Sequence, residues 1–201
     1  FQQEGFGVMD QTIHQGRRWS TAVGYLNPAK DRENLTIRTK CLTTRILFED
    51  TRAVGLEYAR EGQLFQIRAE REVIIAAGAI NSPQILLLSG IGKADDLRAL
   101  DIPIVTDVPG VGQNLHDHID ATVQHECLKP VSLLPEMKPF AKLKSGISWF
   151  LFKKGAAATN HFDIGGYVRS RPGLKQPDLQ LALIPLAMSY ETFAPIQRHG
   201  F

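Results

Sequence analysis

The sequence lacks several features that would identify its chemistry directly. Its 201 residues include only two cysteines, Cys41 and Cys127, which lie far apart without CxxC spacing and therefore form no zinc-ribbon or dithiol motif. Nowhere does an apolar run approach the roughly 20 residues that cross a bilayer. The net charge of +2 is too small to indicate a nucleic acid or an anionic membrane as partner. What remains is a composition typical of a globular protein with one sizeable core or two small ones.

Complete nucleotide-binding and metal-binding motifs are also missing. The stretch GVGQNL at 110–115 follows Pro109 and lacks the third glycine of a dinucleotide fingerprint, so it is interpreted as a turn. This argues against a nicotinamide-dependent dehydrogenase. Likewise, GIGK at 90–93 has neither the spacing nor the Ser/Thr of a Walker loop. His116 and His118 are two residues apart and make an incomplete metal site, so we expect no metal.

Apolar residues alternate with polar ones in the region between residues 34 and 70. After a short helix predicted over 16–26 (GRRWSTAVGYL), the stretches NLTIRTKCLTTRILFED, RAVGLEYAR and LFQIRAE alternate with period two. They predict a three-stranded antiparallel meander. Because the chain begins FQQEGFGVMD without Met and stops without a closing pattern, we expect an internal segment of a larger protein.

The stretch REVIIAAGAINSPQILLLSGIG, residues 71–92, has a different pattern. Val73 to Ala77 lacks alternation, which predicts a buried strand of the parallel kind. Ser82 is a favourable N-cap and Pro83 a favourable first helical residue, while Gly90 marks the end of the helix. A second helix over 95–100 and an extended segment over 102–108 complete an α/β layer.

The small residues Ala77, Gly78 and Ala79 permit two interpretations. A bend without large side chains leaves bare backbone where a strand ends and a helix begins, which is where nucleotides bind in such sheets. Alternatively, small residues merely allow the helix to pack closely on the sheet. Spacing does not choose between these interpretations.

The stretch GAINSPQILLLSGIG resembles the second signature of the glucose-methanol-choline oxidoreductases, flavoenzymes that oxidise alcohols with FAD. GRRWSTAVGYL, DVPGVGQNLHDH and other segments agree in the family's order, and the resemblance covers nearly the whole chain. The tail GAAATNHFDIGGYVRSRPG is most similar to the choline-oxidising branch. The signature residues matched are Gly78, Ser82, Pro83, Ser89, Gly90 and Gly92.

This resemblance implies a mixed fold, α/β (α+β), in two parts. Residues 1–118 would form the middle of an FAD-binding α/β domain with its β-meander, and residues 119–201 the beginning of a substrate-binding domain with an antiparallel sheet. Thr43 would contact the adenine of FAD through its backbone. The other positions that the resemblance places near the cofactor are Ala77, Gly78, Ala79, Asn114, Leu115, Asp117 and His118.

For the substrate, the resemblance aligns Asp163 with an acidic residue that choline-acting relatives use against the trimethylammonium group. A quaternary ammonium has no N–H and is held by charge and aromatic faces. Phe162 and Tyr167 would supply such faces, and Trp149 and Phe150 are further candidates. The alternative is a cap carboxylate beside core aromatics. Two departures leave other aliphatic or aromatic alcohols open: relatives have Glu at Asp163, and a His at Ala182.

The resemblance also implies what lies outside the sequence. The catalytic histidine base of the family would lie beyond Phe201, and none of the six histidines present is taken to replace it. We expect the parent protein to be an FAD-dependent alcohol dehydrogenase that converts choline to betaine aldehyde. Its expected partners are the alcohol and the rest of the parent chain, in a cytoplasmic or peripherally membrane-associated location. A non-catalytic piece is the alternative description of the 201 residues themselves.

Overall fold

A computed structural model describes residues 3–189, 191–192 and 194–201. The chain divides into two compact units, which are described separately. Unit 1 consists of Phe1–Leu35 and Ala121–Phe201, and unit 2 consists of Thr36–Asp120. The resemblance implies a different division, after residue 118, between an FAD-binding and a substrate-binding domain. That division stays a prediction.

Ten short strands and four α-helices occur in the described residues. In chain order they are β1 (Gly5–Val8), β2 (Ile13–His14), β3 (Arg17–Arg18), α1 (Asn27–Ala29), β4 (Leu42–Glu49), β5 (Arg52–Arg60), β6 (Gln63–Arg68), α2 (Gly78–Leu88), β7 (Ile91–Gly92), α3 (Ala94–Ala99), β8 (Thr106–Asp107), α4 (Pro139–Phe152), β9 (Ile164–Val168) and β10 (Leu179–Leu183). A π-helical turn, Ala22–Leu26, precedes α1, and 3-10 turns cover Leu134–Met137 and Ala156–Ala158.

The predicted meander is confirmed in unit 2 as the antiparallel sheet β4-β5-β6. Its first strand begins at Leu42, however, whereas the alternation had predicted a start near Leu35. The reason is the register: Leu42 pairs with Ala59, and β5 ends one residue later at Arg60. Residues before Cys41 therefore have no β5 residue opposite them.

Helix α2 packs on β4 through a serine that links the two elements. The backbone N–H of Ile46 donates to Ser89 Oγ over 2.8 Å, and the Ser89 hydroxyl donates to the carbonyl of Ile85 over 2.5 Å. Ile46 is 6% exposed and Ser89 8% exposed, so this link lies in the core of unit 2. The same core holds Val54 and Tyr58 from β5.

The prediction of a buried strand at Val73–Ala77 is wrong. No strand in the described part of the chain pairs with these residues, and Ile74 is 77% exposed. An extended segment becomes a strand only when a neighbouring strand accepts and donates its hydrogen bonds. A run of apolar residues shows that burial is favourable but supplies no such neighbour.

The predicted start of the following helix is also wrong. Helix α2 begins at Gly78, and Ser82 and Pro83 lie inside it. Ser82 still satisfies an N-terminal donor, because its Oγ accepts the N–H of Ala77 over 3.1 Å. A helix over 95–100 is confirmed, with bounds Ala94–Ala99 and with Leu97 only 1% exposed. Within the extended segment predicted at 102–108, β8 pairs in parallel with β7.

Unit 1 contains the three-stranded antiparallel sheet β1-β9-β10. Two glycines at its centre are covered by side chains of β1 and its extension: Met9 lies over Gly165 and Phe6 over Gly166, each within 3 Å of where a Cβ would lie. The helix predicted over 16–26 starts later than expected. Arg17–Arg18 forms a hairpin with Ile13–His14 instead, because Gln15 and Gly16 have positive φ and turn the chain.

The chain exposes far more surface than its mass requires. Its accessible area is 16381 Å², whereas two separate compact units of these lengths would expose about 11,300 Å². Many large apolar side chains are exposed: in α4, Phe140 is 78%, Leu143 60% and Phe150 72% exposed. Within the described residues, no helix has the length and apolar character needed to span a bilayer. The two units therefore leave large apolar faces uncovered.

Candidate functional site

The start of α2 presents the bare backbone that one of the two sequence interpretations required. Gly78 has φ +86°, and a Cβ built on it would meet no atom within 4 Å. Ala79 is exposed and Ala77 half-buried. The first N–H groups of a helix have no intrahelical acceptor. At this end of α2, Ser82 Oγ accepts the N–H of Ala77. Among the described residues, no side chain comes within 4 Å of the Gly78 Cβ position, so a ligand can approach the backbone there.

The carbonyl of Ala79 gains further freedom from Pro83. In a regular α-helix that carbonyl accepts the N–H of the residue four positions later, and proline has none. Pro83 is that residue. At the beginning of α2, the first N–H groups and the carbonyl of Ala79 thus lack their regular intrahelical partners, beside the small side chains of Ala77 and Ala79.

Thr43 lies near the start of β4, which is an edge strand of the meander. The pairing with β5 shifts register between Thr43 and Arg45, so Thr44 is an extra residue in the ladder. An edge strand has outward backbone groups that its own sheet does not use. This is compatible with backbone contact to a planar ring, which is the role that the resemblance implies for Thr43.

A buried carboxylate stabilises the same irregular place in the meander. Glu57 is 8% exposed and accepts two hydrogen bonds from the Arg45 guanidinium, at 3.2 and 3.0 Å, and one from the Thr44 hydroxyl at 3.0 Å. These bonds, with one from Gln66, hold the pKa of Glu57 below its usual value, and the Arg45 bond is the largest cause. The alternation that predicted the strands gave no sign of this cluster, because it depends on a register shift.

The remaining predicted cofactor residues lie in an exposed segment after β8. Asn114 has φ +55°, and Leu115 is 69% exposed. Asp117 Oδ1 accepts the backbone N–H of its neighbour His118 over 2.7 Å, so the carboxylate orders the local backbone. Among the described residues, no group of three or more His, Cys, Asp or Glu side chains is arranged to hold a metal ion. The predicted cofactor positions thus lie on three elements of unit 2: β4, the start of α2 and this segment.

Of the predicted substrate residues, Phe162 and Asp163 lie directly before β9 and Tyr167 lies within it, all in unit 1. Asp163 is exposed, and its carbonyl accepts the N–H of Met9 over 3.0 Å, which continues the ladder between β1 and β9. Strand alternation places Asp163 and Tyr167 on one face and Phe162 on the other. Ala182 pairs with Gly165 and shares the face of Asp163. The two predicted aromatics therefore do not flank the carboxylate together, since Tyr167 is also roughly 13 Å further along the strand.

Close to Asp163, unit 1 has an aromatic cleft of about 860 Å³. Its walls include Trp19, Tyr25, Trp149 and Thr159. The Trp149 indole N–H donates to the carbonyl of Gly16 over 2.6 Å, which fixes the ring. Thr159 belongs to the cleft wall and also donates to Asp163 Oδ1 over 3.1 Å. The cleft and the carboxylate are thus neighbours through one shared side chain.

Sequence reasoning named Trp149 as a possible aromatic face but missed most of the other residues around Asp163 and the cleft. Trp19 and Tyr25 fall in the segment that was predicted as a plain helix, and Gln11 was not singled out. Gln11 Nε2 donates to Asp163 Oδ1 over 2.7 Å, although 152 positions separate the two residues. No local pattern signals such a contact, because it arises from the pairing of β1 with β9.

Comparison with known proteins agrees with the sequence resemblance. The family model described as GMC oxidoreductase matches residues 1–120. Mitochondrial choline dehydrogenase of Mus musculus is 50% identical over 201 residues, which is all of this chain and 34% of that protein. Oxygen-dependent choline dehydrogenase 1 of Chromohalobacter salexigens is 49% identical and is covered to 36%. The chain therefore spans about a third of the length of these relatives.

Solved structures show the same fold. A formate oxidase matches 99% of this chain and 39% of its own, with a TM-score of 0.83 at 19% identity. Pyridoxine 4-oxidase from Mesorbium loti matches 98% of this chain and 35% of its own, with a TM-score of 0.74 at 25% identity. The fold class inferred from sequence, a mixed α/β arrangement with a meander and an antiparallel sheet, is thereby confirmed. The chain belongs to the GMC oxidoreductase family.

Proposed function

We propose that this chain is part of an FAD-dependent dehydrogenase that oxidises the alcohol group of choline. The cofactor part rests on one structural observation, the open left-handed Gly78 at the start of α2. The substrate part is supported by the choline dehydrogenases that are about half identical over the whole chain. When bound, FAD supplies the hydride acceptor. The residues of this chain bind and orient the cofactor and the substrate.

In this proposal the three elements of unit 2 form part of the FAD surface. Ala77, Gly78 and Ala79 leave room for the nucleotide, and the unpaired N–H groups of α2 favour its phosphate charge. Thr43 contributes backbone contacts from the edge strand. Asn114, Leu115, Asp117 and His118 complete the surface on the segment after β8.

In unit 1, Asp163 is proposed to attract the quaternary ammonium of the substrate. Phe162 and Tyr167 remain proposed substrate contacts, but the cleft that contains Trp19 and Trp149 offers the larger aromatic surface. The hydroxyl proton is proposed to go to a histidine in another part of the parent protein, as the family resemblance implies. Another alcohol remains the second candidate, because Asp163 and Ala182 depart from the pattern of choline-acting relatives.

The cofactor proposal is tested by replacing Gly78 with valine in the parent flavoprotein. A side chain on the contact surface is expected to weaken FAD binding by about tenfold or more, through steric exclusion. Gly173→Val is a matched control, since Gly173 also has φ +86° and open space around its Cβ position. Both variants carry the same backbone strain, so only the location differs. Equal flavin content in the two purified variants would contradict the assignment.

The substrate proposal is tested by the turnover of choline against aliphatic and aromatic alcohols. Asp163→Asn is expected to lower kcat/KM for choline at least about tenfold, because a cation loses its charged partner. Preferred turnover of an uncharged alcohol by the unmodified enzyme would refute choline and favour the second candidate.

The 201 residues alone are proposed to be inactive. Their 16381 Å² of exposed surface includes apolar faces that a folded enzyme covers with further chain. Tight FAD binding and alcohol turnover by the isolated chain would contradict this description.

A further inference from the structure

Asp163 is held in place by three hydrogen bonds from separate parts of unit 1. Its carbonyl accepts the N–H of Met9 over 3.0 Å. Its carboxylate accepts the amide N–H of Gln11 over 2.7 Å and the hydroxyl of Thr159 over 3.1 Å. An exposed aspartate without partners samples several rotamers, but these contacts restrict both the backbone and the side chain.

The two side chains that hold the carboxylate also hold each other. Thr159 Oγ1 lies 3.2 Å from Gln11 Oε1, so its single proton is shared between that oxygen and Asp163. The backbone N–H of His161 donates to the same Oγ1 over 3.1 Å. Because Gln11 Oε1 faces a hydroxyl donor, the amide group directs its N–H toward the carboxylate.

Both side-chain bonds end on the same oxygen, Oδ1 of Asp163. Two donors use the acceptor capacity of that atom, and no donor among the described residues bonds Oδ2, which is therefore the oxygen presented to a ligand. Resting on the proposed function above, we propose that Gln11 and Thr159 are positioning residues. They fix the Asp163 carboxylate so that its free oxygen recognises the cationic group of a quaternary ammonium alcohol.

The position of Thr159 supports this class of ligand. Thr159 lines the cleft of about 860 Å³ whose walls contain Trp19, Tyr25 and Trp149. A quaternary ammonium cannot donate an N–H and is bound by a carboxylate together with aromatic faces. Fixing the carboxylate before binding reduces the entropy that binding would otherwise cost.

The test uses the full-length flavoenzyme and two substrates of the same shape. Choline is compared with 3,3-dimethyl-1-butanol, in which carbon replaces the quaternary nitrogen. The ratio of their kcat/KM values measures recognition of the positive charge. Changes in folding, flavin content or alcohol oxidation affect both substrates and cancel in this ratio.

Gln11→Met and Thr159→Val each remove a hydrogen bond while nearly conserving volume. Each is expected to lower the ratio by about three- to tenfold, as for the loss of one typical intramolecular hydrogen bond. Thr159→Ser keeps the hydroxyl and is expected to stay within about twofold of the unmodified ratio. Gln124→Met is the matched control, since the side chain of Gln124 bonds the backbone of Met188, at 2.8 and 2.7 Å, and no other described residue.

A double-mutant comparison separates positioning from general structure. With Asp163→Asn as background, neither Gln11→Met nor Thr159→Val is expected to change the ratio further. If Asp163→Asn lowers the ratio but both single variants leave it unchanged, the positioning role is refuted and the proposed function stands. If Asp163→Asn leaves the ratio unchanged, the proposed recognition of choline by this carboxylate fails, and the positioning role fails with it.

Discussion

Replacing Ser89 with alanine removes the hydroxyl that joins α2 to β4. The N–H of Ile46 then loses its acceptor at 2.8 Å in a place where Ile46 is 6% exposed and water has little access. A buried donor left without a partner costs about 1–3 kcal/mol. Because 1.4 kcal/mol is a factor of ten, exchange of the β4 amides is expected to accelerate by about 5- to 150-fold. Native-state hydrogen exchange measures this directly.

Ser82→Ala is the matched control on the same helix. Ser82 also accepts one backbone N–H, that of Ala77 over 3.1 Å, but Ser82 is only half-buried and water can replace its hydroxyl. We expect the exchange of β4 amides to change by less than about threefold in this variant. If Ser89→Ala remains folded and leaves β4 exchange as slow as in the control, the inference that one hydroxyl links helix to sheet is refuted.

Three further outcomes are expected. Gly90→Ala should lower the free energy of unfolding of unit 2 by about 2 kcal/mol or more, because φ is +85° and the new Cβ would lie 2.2 Å from a backbone oxygen. Its control is Gly62→Ala, where φ is +79° but the space is open, and this variant should cost only about 1 kcal/mol. Urea unfolding measures both values. Leu97→Ala should lower the free energy of unfolding by about 2–5 kcal/mol, and Leu100→Ala, at 70% exposure, by less than about 0.5 kcal/mol. Folding lowers the pKa of Glu57 from its usual 4.5. The ionised carboxylate therefore stabilises the folded chain above that pH, and this stabilisation is lost as the pH falls through the folded pKa. Urea midpoints from pH 6 to pH 3 should accordingly fall more steeply in the unmodified chain than in Glu57→Gln.

The regular parts of unit 2 were predictable because their signals are local. Alternation in RAVGLEYAR (52–60) and LFQIRAE (64–70) predicted two strands, and both formed, as Arg52–Arg60 and Gln63–Arg68. The turn between them needs only Glu61 and Gly62, both with positive φ. A helix around Leu97 followed equally from its spacing. Such elements depend on nearby residues and on one buried face, so the sequence alone contains most of what they need.

The predictions that failed concern boundaries and pairing. Val73–Ala77 has the composition of a buried strand, but a strand requires a partner, and the described chain provides none there. Helix α2 begins at Gly78, four residues before the expected cap Ser82. Ser82 lies inside the helix and accepts the N–H of Ala77 from there. Residue preferences identified the correct element types more reliably than their ends.

The candidate site likewise has some residues that the sequence indicated and some contacts that only the fold shows. Family motifs in the sequence were sufficient to indicate a GMC oxidoreductase and to mark Gly78 and Asp163, because those motifs are contiguous. Folding was needed to reveal that the Cβ position of Gly78 faces open space and that Gln11 reaches Asp163 across 152 positions. A motif records which residues are neighbours along the chain. Hydrogen bonds and clefts depend on which strands pair, and that pairing is a property of the folded molecule.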